Sequence, residues 1–238
     1  GMLGAALLAA GLDPTIVVGA EVADFGGAVR EGSGDFAVIE ACEAYDSFHD
    51  FDPFAVVLTN LELDHVDFHR DWPTLLGSVR RFLESAPSDG AVFYHGADSG
   101  SLEAVAGLSS AKEIQPADVQ PSLAGDHNRL NGFAALAVCE FIGADLALCK
   151  KAIESFGGPD RRLQVIRDGE VTVVDDYAHH PTEIAATISA LREKFPNRRL
   201  VIAFQPHLYS RTANLIPQFA AALSKADVIF LTDIYPAR

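Results

Sequence analysis

Nine consecutive residues, Asp175 to Glu183, set two carboxylates (Asp175, Asp176), a phenol (Tyr177) and two imidazoles (His179, His180) at the end of an apolar run, Val171 to Val174. Polar groups this dense at the exit of a buried strand are costly unless partnered, which favours a ligand site. A second such exit follows, where Gln205, His207, Tyr209, Ser210 and Arg211 come directly after Leu200–Phe204. Arg161 and Arg162 stand just past Gly157-Gly158-Pro159. Guanidinium groups there can grip phosphate through paired N–H donors, although each taken singly is equally a surface ion-pair partner. Glu40 ends one apolar run and His65 follows the next, with Asn60, Glu62 and Asp64 between. A carboxylate and an imidazole at neighbouring strand ends suit a hard divalent ion that completes its shell with water and phosphate oxygens. Such polar strand ends serve just as well as caps and solvated turns. His65 and His69 are four apart, but Val66 stands where a zinc hydrolase motif needs glutamate, so His69 reads as a surface residue. Gly125–Gly132 brings His127, Asn128 and Asn131 to the start of a helix, where they offer hydrogen bonds to a purine edge or simply cap the helix.

Elements to carry these groups are legible in the apolar periodicity. A helix over 2–10 is closed by Gly11 and Pro14, and 15–20, 36–41, 55–60 and 91–96 read as short strands of the doubly covered, parallel kind. Asp71 caps a helix whose first turn tolerates Pro73, and residues 127–156 read as two helices parted near Gly143. Residues 97–124 contain one helical stretch and an aperiodic connector. Gly157-Gly158-Pro159 is the strongest boundary, dividing 2–157 from 158–238. Beyond it, strand and helix alternate as β/α/β/α/β, which predicts a parallel sheet with crossover helices. Ligands in open parallel sheets lie beyond the carboxyl ends of the strands, where the polar clusters fall.

The chain has 238 residues and a formal charge of −15, distributed unevenly: 8 basic and 24 acidic residues up to 157, and 10 and 9 beyond. An acidic first part argues against general nucleic-acid binding, while the arginines of the second can meet phosphate locally. No apolar run approaches the roughly 18 residues of a membrane span, and no membrane partner is expected. Three cysteines, Cys42, Cys139 and Cys149, without paired spacing argue against a disulfide framework and a zinc knuckle and place the chain in a reducing cytoplasm. Oligomeric state leaves no mark in the sequence.

Taken together and in order, VIEACEAYDSF, VVLTNLELDHVDFH, GDHNRLNGFAAL, RRLQ, VVDDYAHHPTEIAATI, FQPHLYSRT and the terminal DIYPAR resemble the Mur ligase family, nearly throughout the chain outside 97–124. The resemblance implies an α/β chain made of a truncated central ATPase-like parallel-sheet domain (2–157) and a partial carboxyl-terminal Rossmann-like domain (158–238). It implies an ATP-dependent amide-forming ligase of peptidoglycan precursor synthesis that uses Mg²⁺, with UDP-N-acetylmuramate and L-alanine as substrates of the complete enzyme. By motif position, Glu40 and His65 would hold the metal and are expected to converge on one ion. His127, Asn128 and Asn131 would face adenine, and Arg162 a phosphate. Asp176, Tyr177 and His179 would approach nucleotide and substrate, with His207 and Arg211 toward the substrate end. The family's GxxGKT phosphate loop is not present in these residues, and Leu208 stands where alanine-adding members commonly carry a basic residue. A fragment inactive by itself is therefore expected. The alternatives are a non-catalytic binding module derived from a ligase, and a relative acting on another substrate, as in murein tripeptide recycling or cyanophycin synthesis.

Overall fold

The computed structural model describes residues 1–236, so the last two residues of the DIYPAR motif lie outside the described residues. The chain divides into two compact units, one formed by Gly1–Ser122 with Arg129–Gly157, the other by Leu123–Asn128 with the residues from Gly158 onward.

The first unit holds two three-stranded sheets. One is ordered β2-β1-β3, from β1 (Thr15–Val22), β2 (Gly27–Arg30) and β3 (Ala37–Ile39), and the other β4-β5-β6, from β4 (Ala55–Leu58), β5 (Ala91–Tyr94) and β6 (Ala111–Glu113). β3 runs parallel to β1, and β4 and β6 run parallel to β5. β5 explains why this sequence is uninterrupted by polar residues, because both its faces are covered. Val92 joins a core with Leu75, Val79 and Leu83 of α3 (Trp72–Glu84) and Ala104 and Val105 of α4 (Ser99–Val105). Ala91 and Phe93 face the opposite way, onto Ala134 and Val138 of α5 (Asp126–Phe141). Burial of such side chains stabilises by about 1.5–3 kcal/mol each. α1 (Met2–Ala9) packs beside α6 (Leu146–Ser155), where the Cys149 thiol donates to the Ala6 carbonyl at 3.6 Å.

α3 begins as its sequence signals indicate: Asp71 accepts from the Thr74 backbone N–H, and Pro73 sits where no intrahelical donor is needed. Trp72 donates from Nε1 to Glu103 Oε2 at 3.0 Å, tying α3 to α4. α4 in turn pins the loop after β4. Asp98 accepts from Ser101 N–H at 2.7 Å and from Leu61 N–H at 3.0 Å, so one carboxylate caps a helix and fixes the approach to His65. Asp98→Ala is expected to lower the stability of this unit by about 1–2 kcal/mol, since two charge-assisted bonds are lost together. Urea unfolding followed by fluorescence would measure it, and an unchanged midpoint would show that water replaces the carboxylate.

Three differences from the sequence expectations have local causes. β6 falls inside the aperiodic connector, because three residues paired through their backbone to β5 carry no period of their own. β2 returns antiparallel to β1, led by Gly27 at φ 155°, a conformation that favours glycine. In the second unit, β8 (Val173–Asp175) ladders antiparallel with β7 (Gln164–Arg167), while β9 (Val201–Phe204) and β10 (Val228–Leu231) form a separate parallel pair. α7 (Pro181–Lys194) and α8 (Tyr209–Leu223) cover that pair, Ile184, Ile188, Phe219 and Leu223 sharing a core with Phe204 of β9. Among the described residues no helix is long and apolar enough to cross a membrane.

Candidate active-site residues in the two units

In the first unit the polar strand ends are held by backbone bonds. Glu40, exposed at the end of β3, accepts from Gly19 N–H through Oε2 at 3.1 Å. The remaining lone pairs of this carboxylate are available to a hard cation. The carboxylate that meets His65 is that of Glu43, with Nε2 and Oε1 3.6 Å apart. The Cys42 thiol joins these two, and the three donor atoms lie within 4.8 Å of one another. His65 has a left-handed backbone, φ 51°, and Asp64 Oδ1 accepts its N–H at 2.8 Å.

His69 is a correction to the sequence reading: it is 1% exposed, not a surface residue. Its Nε2 bonds the Glu43 carbonyl at 2.9 Å, because the turn Val66–His69 rolls it inward against the segment after β3. A single imidazole contact of this kind to a backbone twenty-six residues away has no signature in sequence.

Asn131, at the end of the predicted adenine group, is exposed and belongs to the first unit. His127 and Asn128 group with the second. Asn128 is buried and its amide donates to the Ala124 carbonyl at 2.8 Å, so its side chain also serves as a helix-start contact.

The second unit gathers most of the remaining candidates around the start of α7. Asp176 is an organiser: Oδ2 accepts from Leu163 N–H at 2.8 Å, and Oδ1 accepts from Ala178 N–H at 2.9 Å and the Thr187 hydroxyl at 3.0 Å. Tyr177 lies exposed beneath two guanidinium groups, Arg161 at 4.9 Å and Arg162 at 5.8 Å from its ring centre. Arg161 also pairs with Asp175 at 3.1 Å, and Arg162 with Glu183 at 3.6 Å. His179 has its ring 5.2 Å from that of Tyr177 and its Nδ1 2.9 Å from the Tyr177 carbonyl.

Glu183 is the residue that the sequence reading left without a role. Its Oε2 accepts from the backbone N–H of His179 at 2.9 Å and of His180 at 3.1 Å, which completes a capping box with His180 as N-cap. Burial pushes its carboxyl upward, but the His179 N–H and charge, the His180 N–H and the Arg162 guanidinium outweigh it and hold Glu183 below the usual range. The spacing from His180 to Glu183 was the available signal, obscured because histidine is an unusual cap.

His207 lies at the mouth of β9, its ring stacked on Tyr235 at 5.4 Å and 6.2 Å from that of His179. Its Nδ1 is buried with no hydrogen-bond partner among the described residues. Desolvation, then the charges of Arg211 and His179, lower its pKa below 6.5, so the neutral ring prevails at pH 7. The unfolded chain takes up that proton more readily, and stability from this site therefore falls as pH drops through 6.5. Arg211, 5% exposed in the first turn of α8, puts a positive charge close to this ring. Leu208, at φ 70°, makes the turn between them. A neutral histidine and a buried arginine at one strand exit can together bind and orient an anionic oxygen.

Residues 161–238 match the model of the Mur ligase glutamate ligase domain. The UDP-N-acetylmuramate–L-alanine ligase of Caldanaerobacter subterraneus subsp. tengcongensis is 37% identical over 262 residues, covering 96% of this chain and 56% of that protein. The ligase of the same name from Agathobacter rectalis is also 37% identical, over 100% of this chain and 58% of its own length. The chain thus spans a little over half the length of the curated relatives it matches. In fold it is similar to the crystal structure of the UDP-N-acetylmuramate-alanine ligase of Thermotoga maritima, with a TM-score of 0.81 at 23% identity over 98% of this chain and 58% of that one. Mycobacterium tuberculosis folylpolyglutamate synthase, solved with ADP, superimposes at 0.76 with 17% identity over 98% and 70% of the two chains. This chain is thus similar to Mur ligases along nearly all of its residues, and from Arg161 onward it carries their glutamate ligase domain.

Proposed function

We propose that this polypeptide carries residues of an ATP-dependent ligase that joins L-alanine to UDP-N-acetylmuramate in peptidoglycan precursor synthesis. The likeness of nearly the whole chain to ligases named for that reaction carries the reading. In the reaction, the muramate carboxylate takes the γ-phosphoryl group of ATP, the alanine amine displaces phosphate from the resulting acyl phosphate, and an amide forms. The donor set suits a magnesium nucleotide: Glu40 keeps exposed carboxylate lone pairs, and His65 is partly open to solvent. Mg²⁺, held by Glu40 and His65, would neutralise charge on the transferring phosphoryl group. Arg162 supplies a guanidinium for phosphate, steadied by Glu183. Asp176 fixes the turn that presents Tyr177 and His179. His207, uncharged, sets its ring beside Arg211, whose charge would orient the anionic end. His127, Asn128 and Asn131 would face adenine, with the Asn128 amide shared with Ala124. The cytoplasm, where ATP and nucleotide sugars are found, is the proposed location.

A chimera tests this reading. With residues 1–238 replacing the matching segment of the Caldanaerobacter enzyme, phosphate release is expected only when UDP-N-acetylmuramate and L-alanine are both supplied. His65→Ala in that chimera should lower the rate by about 100-fold or more, the scale seen when a fixed electrostatic partner of a developing charge is removed. Release driven equally by another amino acid, or unaffected by the substitution, would overturn the assignment.

A further inference from the structure

Beyond the magnesium nucleotide chemistry, Cys42, Glu43 and His65 form a donor set of a different kind. They offer a thiol sulfur, a carboxylate oxygen and an imidazole nitrogen, all within 4.8 Å of one another. A tetrahedral zinc ion bound at about 2.0–2.3 Å from such ligands spaces them about 3.3–3.8 Å apart. The Nε2 of His65 and Oε1 of Glu43 already stand 3.6 Å apart, and the Cys42 thiol lies within 4.8 Å of both.

The three residues are also held from behind. The Ser47 hydroxyl donates to the Cys42 carbonyl at 3.1 Å, buried His69 binds the Glu43 carbonyl at 2.9 Å, and Asp64 takes the His65 N–H at 2.8 Å. Tyr45 and Asp46 keep left-handed backbones, φ 58° each, which turn the chain sharply away just after the two donors. These bonds fix the backbone from which the three donors project. His69 belongs to this support and not to the ligand set, its Nε2 being committed to the backbone.

We propose that Cys42, Glu43 and His65 bind a borderline or soft divalent ion, Zn²⁺ or Co²⁺, as three protein ligands with one open position. Sulfur and nitrogen donors favour these ions over Mg²⁺, which seeks oxygen. On binding, the Cys42 thiol releases its proton to solvent and the thiolate becomes the ligand. Because His65 is shared with the proposed magnesium site, such an ion competes with the catalytic one.

The test uses the full 238-residue chain without a histidine tag, with the metal alone and no nucleotide. Co²⁺ titration is expected to saturate at one equivalent with an intense near-ultraviolet thiolate-to-metal band. Zn²⁺ should displace it and should protect Cys42 from alkylation, whereas millimolar Mg²⁺ should do neither. Cys42→Ser, at an exposed position that leaves the fold alone, should abolish the band and weaken Zn²⁺ binding about 10- to 100-fold; His65→Ala should weaken it similarly. A band that persists in Cys42→Ser, alkylation unaffected by Zn²⁺, or the absence of saturable Co²⁺ binding would overturn the proposal. None of these readouts involves turnover, so they stand or fall separately from the ligase reading.

Discussion

The purified 238-residue polypeptide, given ATP, Mg²⁺, UDP-N-acetylmuramate and L-alanine, is expected to release no phosphate above background. No GxxGKT sequence occurs in it, and such a loop supplies the backbone N–H cradle and lysine that hold a triphosphate. Fixed donors at a developing charge are each worth about 10²–10³-fold, and their effects compound when a whole loop is wanting. Orientation of the carboxylate against the phosphorus is a further large factor. The chimera described above restores both, so silence of the polypeptide and activity of the chimera are the paired expectation. Turnover by the polypeptide itself that vanished on His65→Ala would show that another segment does the work of the loop.

Gly100→Val is expected to have a large effect on the folding of the first unit. A Cβ built there would lie 2.0 Å from the Leu61 carbonyl oxygen and 3.0 Å from the Trp72 ring, and a backbone oxygen cannot swing aside as a side chain does. Gly100→Val is expected to destabilise the first unit by about 3 kcal/mol, at the upper end of overpacking effects. It would also push away the Leu61 peptide whose N–H is held by Asp98, loosening the segment that leads to His65. Gly77 provides the control, being helical within α3 with nothing near its would-be Cβ. Gly77→Ala should stabilise by about 0.5–1 kcal/mol through helix propensity alone. A urea series on the two variants decides the matter, and equal midpoints would refute the steric account.

These contrasts also mark what a sequence discloses. The α3 cap was legible because Asp71, Pro73 and Thr74 are local and their bonds span three residues. The β4 and β5 strands and the α/β class follow from uninterrupted apolar runs, which only a doubly covered strand can bury. Contacts across long stretches of chain were not legible. Glu43 meets His65, and His69 meets Glu43, only because the turn after β3 takes left-handed conformations at Tyr45 and Asp46, residue types that do not announce them. β8 read as the first strand of a parallel sheet because its apolar run resembles β9, yet its hydrogen bonds go to β7, a short strand with charged flanks. Around α7 the polar cluster was visible as composition. The division of labour within it, with Asp176 and Glu183 holding the backbone while Tyr177 stays exposed, needed coordinates.

Trp72 is the single tryptophan of the chain, and its indole N–H is bonded to Glu103 where α3 meets α4. Its emission is thus an intrinsic optical label confined to one unit. Quenching or a red shift on denaturation reports the opening of the α3–α4 contact, and with it the footing of the His65 loop, while the unit from Gly158 onward stays silent in that channel. Far-ultraviolet circular dichroism records helices of both units, so an offset between the two unfolding curves would measure their separate stabilities in one sample without a dye, a tag or a substitution.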